Sequence, residues 1–333
     1  MKRLLTAVAL TTVATGLAPM QTATAQTSTA QTWPTRPVTM VVPFGAGAGT
    51  DVIGRILADR LSQVLGAQVV VENAGGAGGM NGSARVAKAA PDGYQFVLGT
   101  VGTHSQNQSI YKAPLYDART DFAPVALVVD VPPVLIARKD LPVDGLKAFI
   151  AYAKENQSKM SYGSSGTGSA AQLACALLNA QSGIDITHVP YRSAPAAMQD
   201  LVASRIDYQC GLLASTLPQI QNGDVKAIAV LTKERSPAMP NLASAHEQGL
   251  TGFEASAWHG VFFPKDTPPE IVEKLNKALS ETLDTPSVQE RLAKAGAIVT
   301  APERRSPDYL RQFVASETAK WAEAIKTAKI EKQ

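Results

Sequence analysis

Three runs of small residues could each hold an anion. They read VVPFGAGAGTD (Val41 to Asp51), NAGGAGGMNG (Asn73 to Gly82) and YGSSGTGS (Tyr162 to Ser169). Each follows a strand-like stretch and opens a helical pattern. The first N–H groups of a helix lack intrahelical partners, and the helix dipole adds partial positive charge there. An anion can bind such a start without any charged side chain, and glycine and alanine let it approach the backbone closely. One such loop is an ordinary tight turn. Three, placed where open α/β sheets bind ligands beyond the carboxyl ends of their strands, point to a ligand clamped between them.

Other chemistries fit less well. Gly45, Gly47 and Gly49 are spaced G-x-G-x-G, and Thr50 stands where a dinucleotide fingerprint needs its third glycine. Glu72, at the end of the next strand, is placed like a ribose-binding carboxylate, but it opens straight into another glycine loop. No lysine followed by serine or threonine closes a glycine loop, so the phosphate-binding P-loop pattern is absent. The serines of YGSSGTGS sit in no G-x-S-x-G window. A serine hydrolase assembled in space from Ser165 and His188 is the alternative from another functional class. His104, His188, His246 and His259 are scattered singly and suggest no metal site.

The elements that would position these loops alternate between strand and helix. Val38–Phe44 precedes a helix over Thr50–Leu65, where Val52, Ile53, Ile56, Leu57, Leu61, Val64 and Leu65 recur at helical spacing. Strands are expected at Gln68–Glu72 and Tyr94–Leu98, with a helix around Asn81–Ala90 between them. The second half repeats the rhythm from Val134 to Leu231. Continuous apolar strands alternating with helices predict two α/β lobes, each a mostly parallel sheet flanked by helices, with a ligand cleft between them. Asp130–Pro133 reads as a crossover. The expected lobes are 34–129 with 251–333, and 130–250, hinged near 129–134 and 231–250. Amphipathic helices over Pro269–Leu283, Val288–Ala295 and Pro307–Thr327 should cover the first lobe.

The chain opens with Met1-Lys2-Arg3, an apolar run from Leu4 to Ala18 and an Ala23-x-Ala25 site. That is the order of a secretory signal peptide over 1–25, followed by a flexible arm over 26–33. Removing residues 1–25 leaves 308 residues, about two domains' worth. It also takes the formal charge from +3 to +1, and no basic cluster suggests nucleic acid. Cys175 and Cys210 are the only cysteines. Their spacing does not decide whether they meet, and two small buried side chains in one core is the preferred reading.

From Trp33 to Tyr94 the sequence resembles the mature start of tripartite tricarboxylate transporter receptors, the Bordetella uptake gene (Bug) family. The resemblance continues through THSQNQSIYKAPLYDARTDFAPV, KMSYGSSGTGS, THVPYRSAPAAMQDLVASRID and GLTGFEASAWHGVFFPKDTPPEIVEKLN. It implies an exported, cofactor-free, non-enzymatic solute-binding protein of the two-lobed, type II-like periplasmic class. Such a protein, expected as a monomer, closes over a small carboxylate (a dicarboxylate or an aromatic carboxylate) and delivers it to membrane permease subunits. By the same resemblance Phe44, Gly45, Ala46, Gly47, Ala48 and Thr50 would hold a carboxylate, partly through water. Asp51 would be structural. Gly78, Gly79, Thr100 and His104 would complete the first lobe's wall. Ser165, Gly166, Thr167 and Ser169 would take the distal end, with His188 and Arg192 near the cleft. Ala46, Ala48, Gln172 and Ser193 depart from the family's usual residues, and the changes at Ala46, Ala48 and Ser193 bear on pocket size and polarity.

Overall fold

The computed structural model describes residues 33–328 together with 330 and 332. The expected signal sequence over 1–25 and residues 26–32 of the expected arm lie outside the described residues. Trp33, where the arm was expected to end, is buried edge-on against Phe263.

The first lobe begins with β1 (Val38–Val42), α1 (Gly49–Leu65), β2 (Val69–Asn73), α2 (Met80–Ala87) and β3 (Gln95–Thr100). A π-helical turn at Gly102–Gln106, a short α3 (Asn107–Ile110) and β4 (Phe122–Asp130) follow. The second lobe holds β5 (Pro133–Arg138), α4 (Gly145–Asn156), β6 (Ser161–Ser164), α5 (Ala170–Ser182), β7 (Thr187–Pro190), α6 (Ala194–Val202), β8 (Tyr208–Leu212), α7 (Leu213–Gln221) and β9 (Val225–Val230). The chain then returns to the first lobe with β10 (Trp258–Pro264), α8 (Pro269–Asp284), α9 (Pro286–Lys294), β11 (Ile298–Val299) and α10 (Pro307–Thr327).

The sheets run β11-β4-β10-β3-β1-β2 and β7-β6-β8-β5-β9. They are mixed, not mostly parallel. β1 pairs in parallel with β2 and β3, and β6 with β7 and β8. The strands at the crossovers run against their neighbours: β10 is antiparallel to β3 and β4, and β5 to β8 and β9. The reason is directional. β10 and β5 start at the end of their own sheet that faces the other lobe, whereas the parallel strands finish there. The two crossovers lie side by side, with the Val131 N–H donating to the Ala257 carbonyl at 3.1 Å and the Leu231 N–H to Pro133 at 2.8 Å.

Local rules account for the elements that carry the loops. β1 is buried along its length except for Thr39, as a strand inside a covered sheet must be. In α1 the stripe Ile53, Ile56, Leu57 and Leu61 is buried, and the helix stops at Gly66 in the left-handed region at φ 67°. α5 starts at Ser169, whose hydroxyl accepts the Gln172 N–H. α10 lies over β4 and is pinned by Glu317, whose Oε2 takes the indole N–H groups of Trp258 and Trp321 at 3.1 and 3.2 Å.

Cys175 in α5 and Cys210 in β8 are joined by a disulfide, their Cα atoms 5.4 Å apart. This corrects the reading of two separate buried thiols. α5 packs directly on β8, a neighbourhood that spacing along the chain does not reveal.

Candidate binding cleft between the lobes

The glycine loops converge. A Cβ placed on Gly78 would sit 2.3 Å from the Thr167 carbonyl oxygen, and one on Gly45 3.0 Å from the Ser193 Cβ. The Tyr111 hydroxyl donates to the Thr167 carbonyl at 2.8 Å. The lobes are therefore in contact, and a cavity of about 260 Å³ lies between them.

Its wall joins helix starts to a strand end. Phe44, Gly47, Ala48, Gly49 and Thr50 come from the first loop and the start of α1, and Thr100 from the end of β3. The second lobe gives Ser164 and Ser165, then Ala170 and Ala171 at the start of α5. Leu212, Ser215 and Thr216 belong to the start of α7, and Ala194, Pro195, Met198 and Gln199 to α6. The α1 start has no side-chain cap, so its first N–H groups remain available, whereas the first N–H of α7, that of Leu213, donates to the Pro132 carbonyl at 3.1 Å. Among the described residues the wall contains no Asp, Glu, Lys or Arg.

Asp51 organises the first loop without lining the cavity. Its carboxylate accepts the Gly47 N–H at 2.9 Å, Arg55 Nε at 3.0 Å and Asn73 Nδ2 at 2.9 Å. Burial works to raise its pKa, but these bonds together outweigh burial and hold it below the usual range. Asn73 Nδ2 also donates to the Phe44 carbonyl, tying the second loop to the first.

His259 lines the cavity from β10, and its Nε2 lies 3.1 Å from the Thr50 hydroxyl. Its Nδ1 is 3.1 Å from the Ala257 carbonyl, which can only accept, so Nδ1 carries the proton and Nε2 accepts from Thr50. The Thr50 oxygen keeps only acceptor capacity. Any donation from this residue to an anion must come from its backbone N–H. Burial pushes His259 down to about 4, so the ring is neutral.

Several expected residues stand elsewhere. Gly78, Gly79, Gly166 and Thr167 lie in the loop contacts, not in the cavity wall. Gly45 packs on Ser193, and Ser169 is the α5 cap. Ala46 and Arg192 are exposed. His104 is turned into the core: it is fully buried, stacked 3.9 Å from Phe262, with Nδ1 2.8 Å from the Thr103 hydroxyl and a pKa pushed down to about 3 by burial. The π-helical turn carries it away from the wall. Gln172 accepts the Gly168 N–H at 3.3 Å, and Ser193 caps α6, so these two departures support loops. Ala48 is the departure that meets the cavity.

His188 pairs with Ser164, not Ser165: Ser164 Oγ lies 2.7 Å from His188 Nε2. Ser165 therefore has no imidazole poised as a base. The Gln209, Gly211 and Gln219 side of the wall was not foreseen from sequence.

Residues 53–330 match the family described as the tripartite tricarboxylate transporter family receptor. The chain belongs to this family. BugT of Bordetella pertussis is 35% identical to the receptor over 296 residues, 89% of this chain and 90% of BugT. The structure of the periplasmic binding protein BugD has a TM-score of 0.87 at 42% identity, covering 90% of this chain and 100% of BugD. MatC of Rhodopseudomonas palustris, solved with bound malate, gives 0.85 at 38%, over 88% of this chain and 100% of MatC. An R. palustris protein solved with adipate gives 0.86 at 35%, over 90% and 100%. The receptor thus has the two-lobed fold of periplasmic binding proteins.

Proposed function

We propose that the receptor is exported to the periplasm, with its signal sequence removed near Ala25, and captures a small carboxylate there for the membrane subunits of a tripartite tricarboxylate-type transporter. One observation carries this reading. The starts of α1 and α5 meet at one small cavity whose described wall has no ionised side chain. Partial positive charge at helix starts, with free N–H groups, favours an anion there. The malate and adipate held by the two relatives support a carboxylate as that anion.

In this account the N–H groups of Gly49 and Thr50 receive the carboxylate from the first lobe, and Ser165 with the start of α5 closes on it from the second. The lobes 34–129 with 251–333, and 130–250, move about the paired crossovers, and ligand shifts the population toward the closed form. The receptor performs no chemistry on its ligand, acts as a monomer and needs no cofactor. A thermal-shift screen against mono-, di- and tricarboxylates, aliphatic and aromatic, tests this. At ligand near 100 times Kd the stabilisation is about 2.7 kcal/mol. A panel that leaves the midpoint unmoved refutes the reading, as does hydrolysis of an ester or amide that disappears in Ser165→Ala.

A further inference from the structure

The far side of the cavity is built from carboxamides. Gln209, on β8, is nearly fully buried, and its Nε2 finds only the Met198 sulfur at 3.7 Å. Gln219, one helical turn beyond Ser215 on α7, has a buried Oε1 with no partner. Both line the cavity. The hydroxyls of Ser215 and Thr216 are already committed, each donating to the Leu212 carbonyl at 3.1 Å. No cation stands on this side among the described residues: Arg192 is exposed and outside the wall.

A carboxamide offers two donors and one acceptor however it is flipped. A second carboxylate could satisfy the donors but would leave the acceptor oxygens facing negative charge. It would also lose its hydration with no cation in return, which is costly. A neutral group that both donates and accepts satisfies the whole set. We propose that Gln209 and Gln219 form a charge-free distal subsite for a carboxamide or hydroxyl. The receptor then takes a monocarboxylate with such a tail in preference to the matching dicarboxylate. This rests on the carboxylate reading above and narrows it.

The test is isothermal titration with matched sets at three chain lengths: succinate and succinamate, glutarate and glutaramate, adipate and adipamate, each with the unsubstituted monoacid. At the best-binding length the half-amide should bind at least tenfold tighter than the diacid. Gln219→Leu should bring the half-amide down to the level of the monoacid, with an unchanged circular dichroism spectrum and unfolding midpoint verifying the variant's fold. Gln219→Arg should reverse the preference toward the diacid. A diacid that binds wild type as tightly as the half-amide overturns the distal assignment and leaves the carboxylate reading intact. A half-amide preference that persists in both Gln209→Leu and Gln219→Leu overturns the assignment to these residues. If no monoacid, half-amide or diacid binds at any length, the distal assignment falls, and the carboxylate reading falls with it only if the tricarboxylates and aromatic acids of the wider panel leave the midpoint unmoved as well.

Discussion

An alanine at position 78 separates closure of the lobes from the chemistry of the cavity. Gly78 lies outside the cavity wall, at φ 59°, where its added Cβ would meet the Thr167 carbonyl oxygen at 2.3 Å, the Gly168 carbonyl carbon at 2.8 Å and the Ser169 nitrogen at 3.0 Å. All three are backbone atoms of the other lobe, so no side-chain rotation relieves the clash. The left-handed conformation costs the alanine about 1–2 kcal/mol whether the lobes are open or closed. Overpacking adds a further 1–3 kcal/mol, roughly, that falls on the closed form alone. At about 2 kcal/mol the competent population drops roughly 30-fold, and the apparent Kd rises by the same factor. Gly66→Ala is the control: it carries the same backbone penalty at φ 67° with nothing within 4 Å. Titration calorimetry should show a weakening of about 30-fold for Gly78→Ala and wild-type affinity for Gly66→Ala, with scattering showing less ligand-induced compaction in the former. Wild-type affinity and compaction in Gly78→Ala would refute the claim that this loop contact belongs to the ligand-bound state.

Asp51→Ala should cost about 1–2 kcal/mol in urea unfolding at neutral pH, because it strands the Gly47 N–H and removes one of the Asn73 amide's two bonds in a part-buried setting. Asp51 has a lowered folded pKa, so its contribution is present above 3.8 and disappears as pH falls through the lower folded value; the variant should lack that loss. His259 and His104 fold neutral with values near 4 and 3, so between pH 6.5 and about 4 the unfolded chain binds more protons and stability falls as pH falls. His259→Gln should flatten the slope of unfolding free energy between pH 5 and 6 by about 1.2 kcal/mol per pH unit, and an unchanged slope would count against a buried neutral ring. The Cys175–Cys210 bond closes a loop with a separation of 35 residues, for which chain entropy gives a contribution of about 3–4 kcal/mol. Reduction or Cys175→Ala should lower the midpoint by on the order of 10 °C, and an insensitive midpoint would contradict the pairing.

What sequence could disclose follows from what is local. β1, its glycine loop and α1 were readable because a buried strand is continuously apolar and a helix stripe repeats at its own period. β4 and β10 escaped because FAPVALVVD and WHGVFFP carry Pro124 and Pro264, and a proline within an apolar run argues against a central strand. Their place in the middle of the first sheet depends on pairing across more than a hundred residues. The first lobe's half of the cavity was legible through its glycines. The Gln209 and Gln219 half was not, because it exists only once β8 and α7 are folded side by side. His104 was misplaced for a related reason: a five-residue π-helical turn rotates it inward, and nothing in GTHSQ announces that turn.

Recognition of a free carboxylate by the cavity can be measured directly. Titration calorimetry of the tightest-binding acid against its own methyl ester isolates that group, since the two share everything else. The ester removes the charge that the α1 and α5 starts are held to stabilise, so it should bind at least a hundredfold more weakly. Equal affinity for acid and ester would contradict the account.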